Sequence, residues 1–269
     1  MSERIEETGL IYVNEQIGPD LFVMEIGAPK IASLVRPGQF VHAIIPGMEA
    51  HILRRPFSVY SAVPEIGLIE ILYQGVGFGT KKMQELKMQD KLELIGPLGT
   101  GWNPLESATR ALMVAGGVGA APLYMLSNKL ASQGVTIDVV MGARSKSSLV
   151  CHERYTSLFD ENGLSLEGLR CATDDGSFGH AGFNTDLVKE ALATNSYDYA
   201  AVCGPEPMIE RVVSMLNEAS IPCEISLERR MACGVGACLS CVVQTSEGMK
   251  RACFDGPVFD AKKVMFDEC

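Results

Sequence analysis

Four cysteines near the C-terminal end of the chain share a tight, glycine-rich spacing. They follow the pattern Cys233-x4-Cys238-x2-Cys241-x11-Cys253. This order is typical of plant-type [2Fe–2S] sites, in which four thiolates hold two irons. Glycines between the first two cysteines allow the backbone to curl around inorganic sulfur and to present N–H groups to it. We therefore expect these four residues to ligate a [2Fe–2S] cluster.

Three other interpretations of these cysteines remain open. A zinc site usually has two close cysteine pairs of the C-x2-C kind, and here there is one. Disulfides fit poorly, because the start MSERIEE shows no secretory signal. Buried thiols are the third alternative. The other five cysteines are scattered, and we expect them to be structural or incidental: Cys151, Cys171, Cys203, Cys223 and Cys269.

Composition excludes several functional classes. The chain has 269 residues and a net charge of −10, which argues against a general nucleic-acid binder. The longest nearly uncharged run, residues 111–126, contains glycines and a proline and is too short to span a membrane. We expect a cytoplasmic protein with no membrane and no nucleic-acid partner.

Two patterns of predicted secondary structure divide the chain. Short β-rich runs separated by Gly and Pro predict a small antiparallel barrel or sandwich, with one helix at residues 80–87. These runs cover residues 11–18, 21–27, 39–46, 57–63, 68–74 and 91–99. From about residue 108, strands alternate with helices, which predicts a parallel, doubly wound sheet. The expected domains are an N-terminal β barrel (1–104), a Rossmann-like α/β domain (105–224) and a small cysteine domain (225–269).

The run RRPFSVY, residues 54–60, could bind a flavin dinucleotide. Arg55 offers a fixed cation for a pyrophosphate, and Phe57 or Ser58 could lie near an isoalloxazine. In LYQGVGFGT, residues 72–80, Gly79 and Thr80 precede the predicted helix, whose first N–H groups could meet a phosphate. An ordinary strand edge and an ordinary turn are the alternatives.

Two strand-to-helix turns could bind a nicotinamide nucleotide. VAGGVGAAP, residues 114–122, has Pro122 where the G-x-G-x-x-G fingerprint has its last glycine. The turn CGPEPM, residues 203–208, should lie at the carboxyl edge of the same sheet, where ligands bind. The candidate residues are Gly116, Gly117, Gly119, Cys203, Gly204 and Pro205. Plain glycine turns are the alternative, and NAD is not distinguished from NADP.

In this order, the barrel with RPFS, the sheet with GGVGAAP and CGPEPM and the cysteine motif resemble the ferredoxin-NADP reductase family. Within it, the chain is most similar to the electron-transfer subunits of NAD-linked, class 1B dihydroorotate dehydrogenases. The most specific match is RMACGVGACLSC…KRACFDGPVF, residues 230–259. The resemblance implies the same four cysteine ligands. It also implies FAD contacts at Arg55, Pro56, Phe57, Ser58, Leu72, Tyr73, Gln74, Gly79 and Thr80.

The resemblance also implies a role in pyrimidine biosynthesis. A separate FMN subunit would oxidise dihydroorotate, and its electrons would pass through the [2Fe–2S] cluster and FAD to NAD+, in a heterotetramer of two plus two chains. FAD must stand between a one-electron cluster and a two-electron nicotinamide. No residue of this chain is expected to be catalytic. The alternatives are an NADH-dependent ferredoxin:NADP oxidoreductase subunit, a hydrogenase-linked flavoprotein and a non-catalytic flavin redox sensor.

Overall fold

The computed structural model describes residues 4–48 and 50–266, so Cys269 lies outside the described residues. The chain divides into two compact units. The first unit runs to Gly101 and also contains Glu228–Val243 and Gly248–Pro257. The second unit contains Trp102–Leu227 and Gln244–Glu247 and continues from Val258. The division into three domains stays a prediction.

The first unit contains a closed antiparallel barrel, as the sequence predicts. Its strands are β1 (Ile5–Gly18), β2 (Leu21–Gly27), β3 (Phe40–Ile44), β4 (Arg55–Val63), β5 (Leu68–Gln74) and β6 (Lys91–Leu98). They pair in the order β1-β2-β5-β4-β3-β6, and β6 returns to β1. Ile69 and Ile71 of β5 lie two residues apart, on the same face of the sheet, and are fully buried in the core.

Two short helices accompany the barrel, α1 (Pro29–Leu34) and α2 (Phe78–Met83). The sequence predicts a helix at residues 80–87, whereas α2 begins two residues earlier and ends sooner. A residue of β1 holds the C-terminal end of α2, because the Asn14 amide donates hydrogen bonds of 2.8 Å to the carbonyls of Met83 and Leu86.

The second unit contains the predicted parallel sheet, with strands in the order β10-β9-β8-β7-β11-β12-β15. These strands are β7 (Arg110–Gly116), β8 (Thr136–Ala143), β9 (Leu169–Thr173), β10 (His180–Ala181), β11 (Tyr199–Cys203), β12 (Cys223–Ser226) and β15 (Val258–Asp260). The helices are α3 (Ala120–Ser132), α4 (His152–Glu161), α5 (Asn184–Thr194) and α6 (Glu206–Glu218). Leu123, Leu126 and Leu130 of α3 lie at helical spacing and are buried in the core of this unit.

Sequence reasoning missed α4, β12 and β15. Strand β15 comes from the segment that carries the cysteines, and it adds an antiparallel edge to the sheet, with Phe259 opposite Ile225. Between the cysteines, β13 (Val242–Thr245) and β14 (Gly248–Arg251) form a two-stranded sheet. Within the part of the chain that the structure describes, no helix is both long and apolar enough to cross a membrane.

Candidate functional site

The four motif cysteines come together as two pairs. The N–H of Cys238 points at the sulfur of Cys233, at 3.4 Å, and the N–H of Cys253 points at the sulfur of Cys241, also at 3.4 Å. The second pair is buried, whereas Cys238 is exposed. The loop therefore presents an inner and an outer pair of sulfur atoms.

Backbone N–H groups surround the outer pair. Besides Cys238, Val235 and Ala237 point their N–H groups at the sulfur of Cys233, at 3.5 and 3.3 Å. This curl needs left-handed backbone, with φ of 68° at Gly234 and 86° at Gly236. N–H groups directed at sulfur stabilise negative charge on a thiolate and on a cluster.

The two pairs differ in their electrostatic surroundings. The hydroxyl of Ser240 lies 3.2 Å from the sulfur of Cys238 and is the main reason why the pKa of Cys238 is lowered to about 6. Burial, reinforced by the neighbouring Cys241, raises the pKa of Cys253 to about 12. The thiol of Cys238 thus ionises readily, whereas the thiol of Cys253 becomes a thiolate only when a bound metal ion compensates its negative charge.

This geometry fits a two-iron cluster better than the alternatives. All eight cysteines that the structure describes are free, so none of them forms a disulfide. Among the same residues, no three His, Cys, Asp or Glu side chains converge on a single ion position. A structural zinc ion needs four ligands around one ion, whereas a [2Fe–2S] cluster takes two thiolates on each of two irons.

An aromatic residue beside the cysteines braces their loop. Two guanidinium groups lie over the Phe254 ring, with Arg4 at 4.9 Å and Arg251 at 4.4 Å from its centroid. Arg251 also pairs with Asp255 at 2.9 Å and donates to the carbonyl of Gly236 at 3.2 Å. Sequence reasoning missed this brace, because Arg4 lies far from the cysteines along the chain.

The predicted flavin residues lie on two neighbouring strands and on α2. Arg55, Pro56, Phe57 and Ser58 occupy the start of β4, and Leu72, Tyr73 and Gln74 occupy the end of the adjacent β5. A Cβ built on Gly79 would lie 3.3 Å from Nε of Arg55, so this guanidinium lies beside the start of α2. The rings of Phe57 and Tyr73 meet edge to face at 6.1 Å. The structure therefore brings these residues together on one part of the barrel.

Two polar side chains of this set already have partners within the protein. The hydroxyl of Thr80 accepts the N–H of Gly77 at 3.0 Å and thereby caps α2. The phenol of Tyr73 donates to Asn14 at 2.8 Å, and burial raises the pKa of Tyr73 to about 12, so the phenol stays neutral. Asn14, which sequence reasoning missed, therefore holds both Tyr73 and the end of α2.

The two turns of the nucleotide site touch each other. These turns follow the adjacent parallel strands β7 and β11. From β7 the chain continues to β8, towards one edge of the sheet, and from β11 it continues to β12, towards the other edge. A Cβ on Gly119 would collide with the carbonyl of Cys203, and one on Gly204 would lie 2.9 Å from the nitrogen of Gly116. Pro205 opens α6 beside them, and Gly117 has a φ of 54°. A strand-order reversal of this kind is where open α/β sheets bind nucleotides.

A buried asparagine ties this edge of the sheet together, and sequence reasoning missed it. Asn184, the first residue of α5, donates to the carbonyl of Ala115 at 3.0 Å and to the sulfur of Met208 at 3.1 Å. It thereby links the ends of β7, α5 and α6. Its position at the start of a helix is a sequence signal only for helix capping, and its true partners are distant in sequence.

Two family models match the chain. The iron–sulfur cluster binding domain of dihydroorotate dehydrogenase B matches residues 228–265, and an oxidoreductase NAD-binding domain matches residues 113–214. The first range contains all four motif cysteines, and the second contains both glycine turns. These domains and the barrel fit a [2Fe–2S] cluster, FAD and NAD.

Curated relatives and a solved structure resemble nearly the whole chain. A Desulforamulus reducens protein is 38% identical, with 93% of this chain and 95% of the relative covered. A Clostridium acetobutylicum protein is 36% identical, with 96% of each covered. Both are named dihydroorotate dehydrogenase B (NAD(+)), electron transfer subunit. The structure of an NADH-dependent reduced ferredoxin-NADP oxidoreductase is 30% identical, has a TM-score of 0.85, and is matched over 96% of this chain and 89% of that chain.

The fold and the sites define an NAD-linked flavin and iron–sulfur oxidoreductase subunit. A ferredoxin reductase of carbazole 1,9a-dioxygenase, at 20% identity and a TM-score of 0.66, shares the fold alone. By its similarity to the curated relatives, the chain belongs to the family of electron transfer subunits of dihydroorotate dehydrogenase B (NAD(+)).

Proposed function

We propose that this chain carries electrons from a catalytic subunit that oxidises dihydroorotate, through a [2Fe–2S] cluster and FAD, to NAD+. The observation that carries the proposal is the arrangement of the four cysteine sulfur atoms in two pairs, with backbone N–H groups directed at Cys233 and Cys241. These cysteines belong to the same compact unit as β4, the strand that carries the flavin motif. The names of the relatives supply the electron donor and acceptor.

For the cluster, Cys233 and Cys238 would hold one iron, and Cys241 and Cys253 the other. The four-residue arm between the first two cysteines places three N–H groups around one sulfur. Because such donors favour the more negative reduced state, the loop supports electron uptake as well as ligation.

For the flavin, Arg55 would bind the pyrophosphate, while Phe57 or Ser58 would lie near the isoalloxazine. FAD, when bound, exchanges electrons both singly and in pairs, which links the cluster to NAD+. The other proposed contacts are Pro56, Leu72, Tyr73, Gln74, Gly79 and Thr80. The guanidinium of Arg55 beside the start of α2 supports this assignment, because two sources of positive potential meet there.

For the nucleotide, the two turns that touch, in residues 114–122 and 203–208, would provide a surface made largely of main-chain atoms. Gly116, Gly117 and Gly119 on one turn, with Gly204 between Cys203 and Pro205 on the other, would let the ligand come close to the main chain. Backbone N–H groups at the carboxyl edge of the sheet would then bind the nucleotide, and no side chain of this chain is required to transfer a proton.

The partner proposed is an FMN-containing dihydroorotate dehydrogenase subunit, in a heterotetramer of two plus two chains. The name electron transfer subunit supports a catalytic partner. The pathway proposed is pyrimidine biosynthesis, and the location proposed is the cytoplasm.

The test is anaerobic purification with metal, sulfide and flavin analysis, followed by a dihydroorotate-dependent NAD+ reduction assay with the FMN subunit. We expect about two irons, two sulfides and one FAD per chain, with orotate formed only when both subunits are present. Zinc in place of iron would overturn the cluster assignment.

A ferredoxin-linked reductase is the second candidate, favoured by the TM-score of 0.85 to the NADH-dependent oxidoreductase structure. The same assay separates the two candidates. The full set of cofactors with no dihydroorotate activity, but with NADH-dependent reduction of ferredoxin, would favour the second.

A further inference from the structure

His42 is a buried histidine whose ring nitrogens make no hydrogen bond of normal geometry within the protein. It lies in the middle of β3 and is fully buried. The backbone of Arg54 and of Cys233 lies beside the ring, but neither Nδ1 nor Nε2 has a partner at hydrogen-bond distance and angle, and no other side chain in the described ranges has buried nitrogen or oxygen atoms without a partner. Such a group loses its bonds to water without replacing them, so natural proteins rarely retain one without a reason.

The ring lies against the cysteine loop, and its strand β3 is paired with β4, the strand that carries the flavin motif. In β3 alternate residues face opposite ways, and Val41 on the other face packs towards Gly96 of β6. His42 is paired in register with Pro56 of the flavin motif. A Cβ added to Gly234 would collide with the imidazole of His42, so only a glycine at this position lets the cysteine loop lie against the ring.

The ring can donate a hydrogen bond in either protonation state, because an imidazole always carries at least one N–H group. A neutral imidazole carries one N–H donor and one bare nitrogen. An apolar side chain of similar size could fill the same space without an unpaired donor.

We propose that His42 donates its imidazole N–H to a sulfur atom of the [2Fe–2S] cluster that the adjoining loop holds. This inference rests on the proposed cluster. The ring thereby sets the reduction potential of the cluster, because a hydrogen bond to sulfur favours the more negative, reduced state. It also couples the cluster loop to the strand that carries the flavin motif.

The first test uses the wild-type full chain, with histidine labelled by 15N in the ring only. Pulsed EPR of the reduced protein should show a weak 15N coupling to the cluster. The His42→Phe variant should lose this coupling, whereas His51→Gln, in the only other histidine of the first unit, should keep it. A reduced wild-type cluster with no 15N coupling would overturn the inference without recourse to any variant.

The second test is an EPR-monitored redox titration. His42→Phe should lower the ratio of reduced to oxidised cluster at a fixed potential about tenfold, equal to a shift of about −59 mV for one electron. His42→Gln, which keeps an N–H donor, should recover most of this shift. An unchanged potential in His42→Phe, or equal shifts in both variants, would overturn the role of the donor.

Iron and sulfide analysis separates this inference from the proposed function. A wild-type chain without iron and sulfide would remove both proposals. A chain with a normal [2Fe–2S] cluster, no 15N coupling and an unaltered potential in His42→Phe would remove only the role of His42.

Discussion

Two glycine-rich turns in this protein use glycine for different physical reasons. In the cysteine loop, Gly234 and Gly236 have φ of 68° and 86°, a backbone region that side chains disfavour. In the nucleotide turn, Gly116 and Gly119 have ordinary φ of −119° and −61°. What excludes a side chain there is the neighbouring turn, because a Cβ on Gly119 would meet the backbone of Cys203.

The difference shows how each turn makes its ligand surface. The cysteine loop must bend so that N–H groups face sulfur, and it needs residues that tolerate left-handed backbone. The nucleotide turn must lie close to a second turn, and it needs residues without a side chain. Gly234 and Gly236 thus reflect left-handed backbone conformation, which Gly117 of the nucleotide turn shares, whereas Gly116 and Gly119 reflect the close approach of the second turn. Close approach adds to backbone conformation at Gly234, which lies against His42.

The largest effect should come from the sulfur atoms of the cysteine loop. Cys238→Ser should abolish the visible and EPR spectra of the cluster, because one iron loses a thiolate. The matched control is Cys223→Ser, a buried cysteine of β12 outside the motif, which should leave both spectra intact. An unchanged spectrum in the Cys238 variant would contradict the assignment of the ligands.

A smaller effect should come from the shape of the same loop. Gly234→Ala combines left-handed strain of about 1–2 kcal/mol with a collision with His42, and we expect its iron content to fall by more than half. His42→Ala combined with Gly234→Ala removes the collision together with the proposed donor to the cluster, so its iron content is compared with that of His42→Ala alone and should recover in part. If the double variant recovers nothing, backbone conformation alone explains this glycine.

In the nucleotide turn, Gly119→Ala should raise the KM for NAD+ about tenfold, or about 1.4 kcal/mol, with unchanged iron and flavin content. The added methyl group would push the turn away from Cys203 and Gly204. Gly134→Ala is the control for strain, because Gly134 has a φ of 81° and open space around it. It should lower the free energy of unfolding and leave the KM unchanged; a similar rise in KM would refute the close-approach explanation.

The smallest effect should come from the opposite, amino edge of the same sheet. The Thr109 hydroxyl, followed by the N–H groups of Thr109 and Arg110, lowers the pKa of Asp198. Because the folded pKa is depressed, its stabilisation is complete above the unfolded pKa of about 3.9 and disappears as the pH falls through the folded value. Asp198→Asn should therefore weaken the fall in unfolding free energy below about pH 4, and nucleotide KM should not change. Equal acid dependence in both proteins would exclude this contribution.

Local patterns were sufficient for much of the fold. Short β-rich runs separated by Gly and Pro predicted the strands of the barrel, and the alternation of strands with helices predicted the parallel sheet. The predicted barrel and parallel sheet are confirmed. Helix α2 ends earlier than predicted, and the amide of Asn14, far away in sequence, donates to the carbonyls at this end.

The candidate sites divide in the same way. The cysteine spacing and the order of the motifs could be read directly from the chain, and the structure brings the cysteines into pairs. The individual contacts to FAD, NAD and iron stay predictions. Asn184 gave no sequence signal for its links to Ala115 and Met208, because they depend on two other elements of the sheet.

The sequence by itself determined the chemistry that the chain can offer, since thiols, glycines and the Arg-Pro-Phe-Ser run act through spacing along a few residues. Only the tertiary structure decided which groups face one another. It placed His42 against the loop of Gly234, and Arg4 and Arg251 over the ring of Phe254. It also joined β15 to β12. The physical reason is that burial and packing depend on residues distant in sequence, whose approach no local pattern encodes.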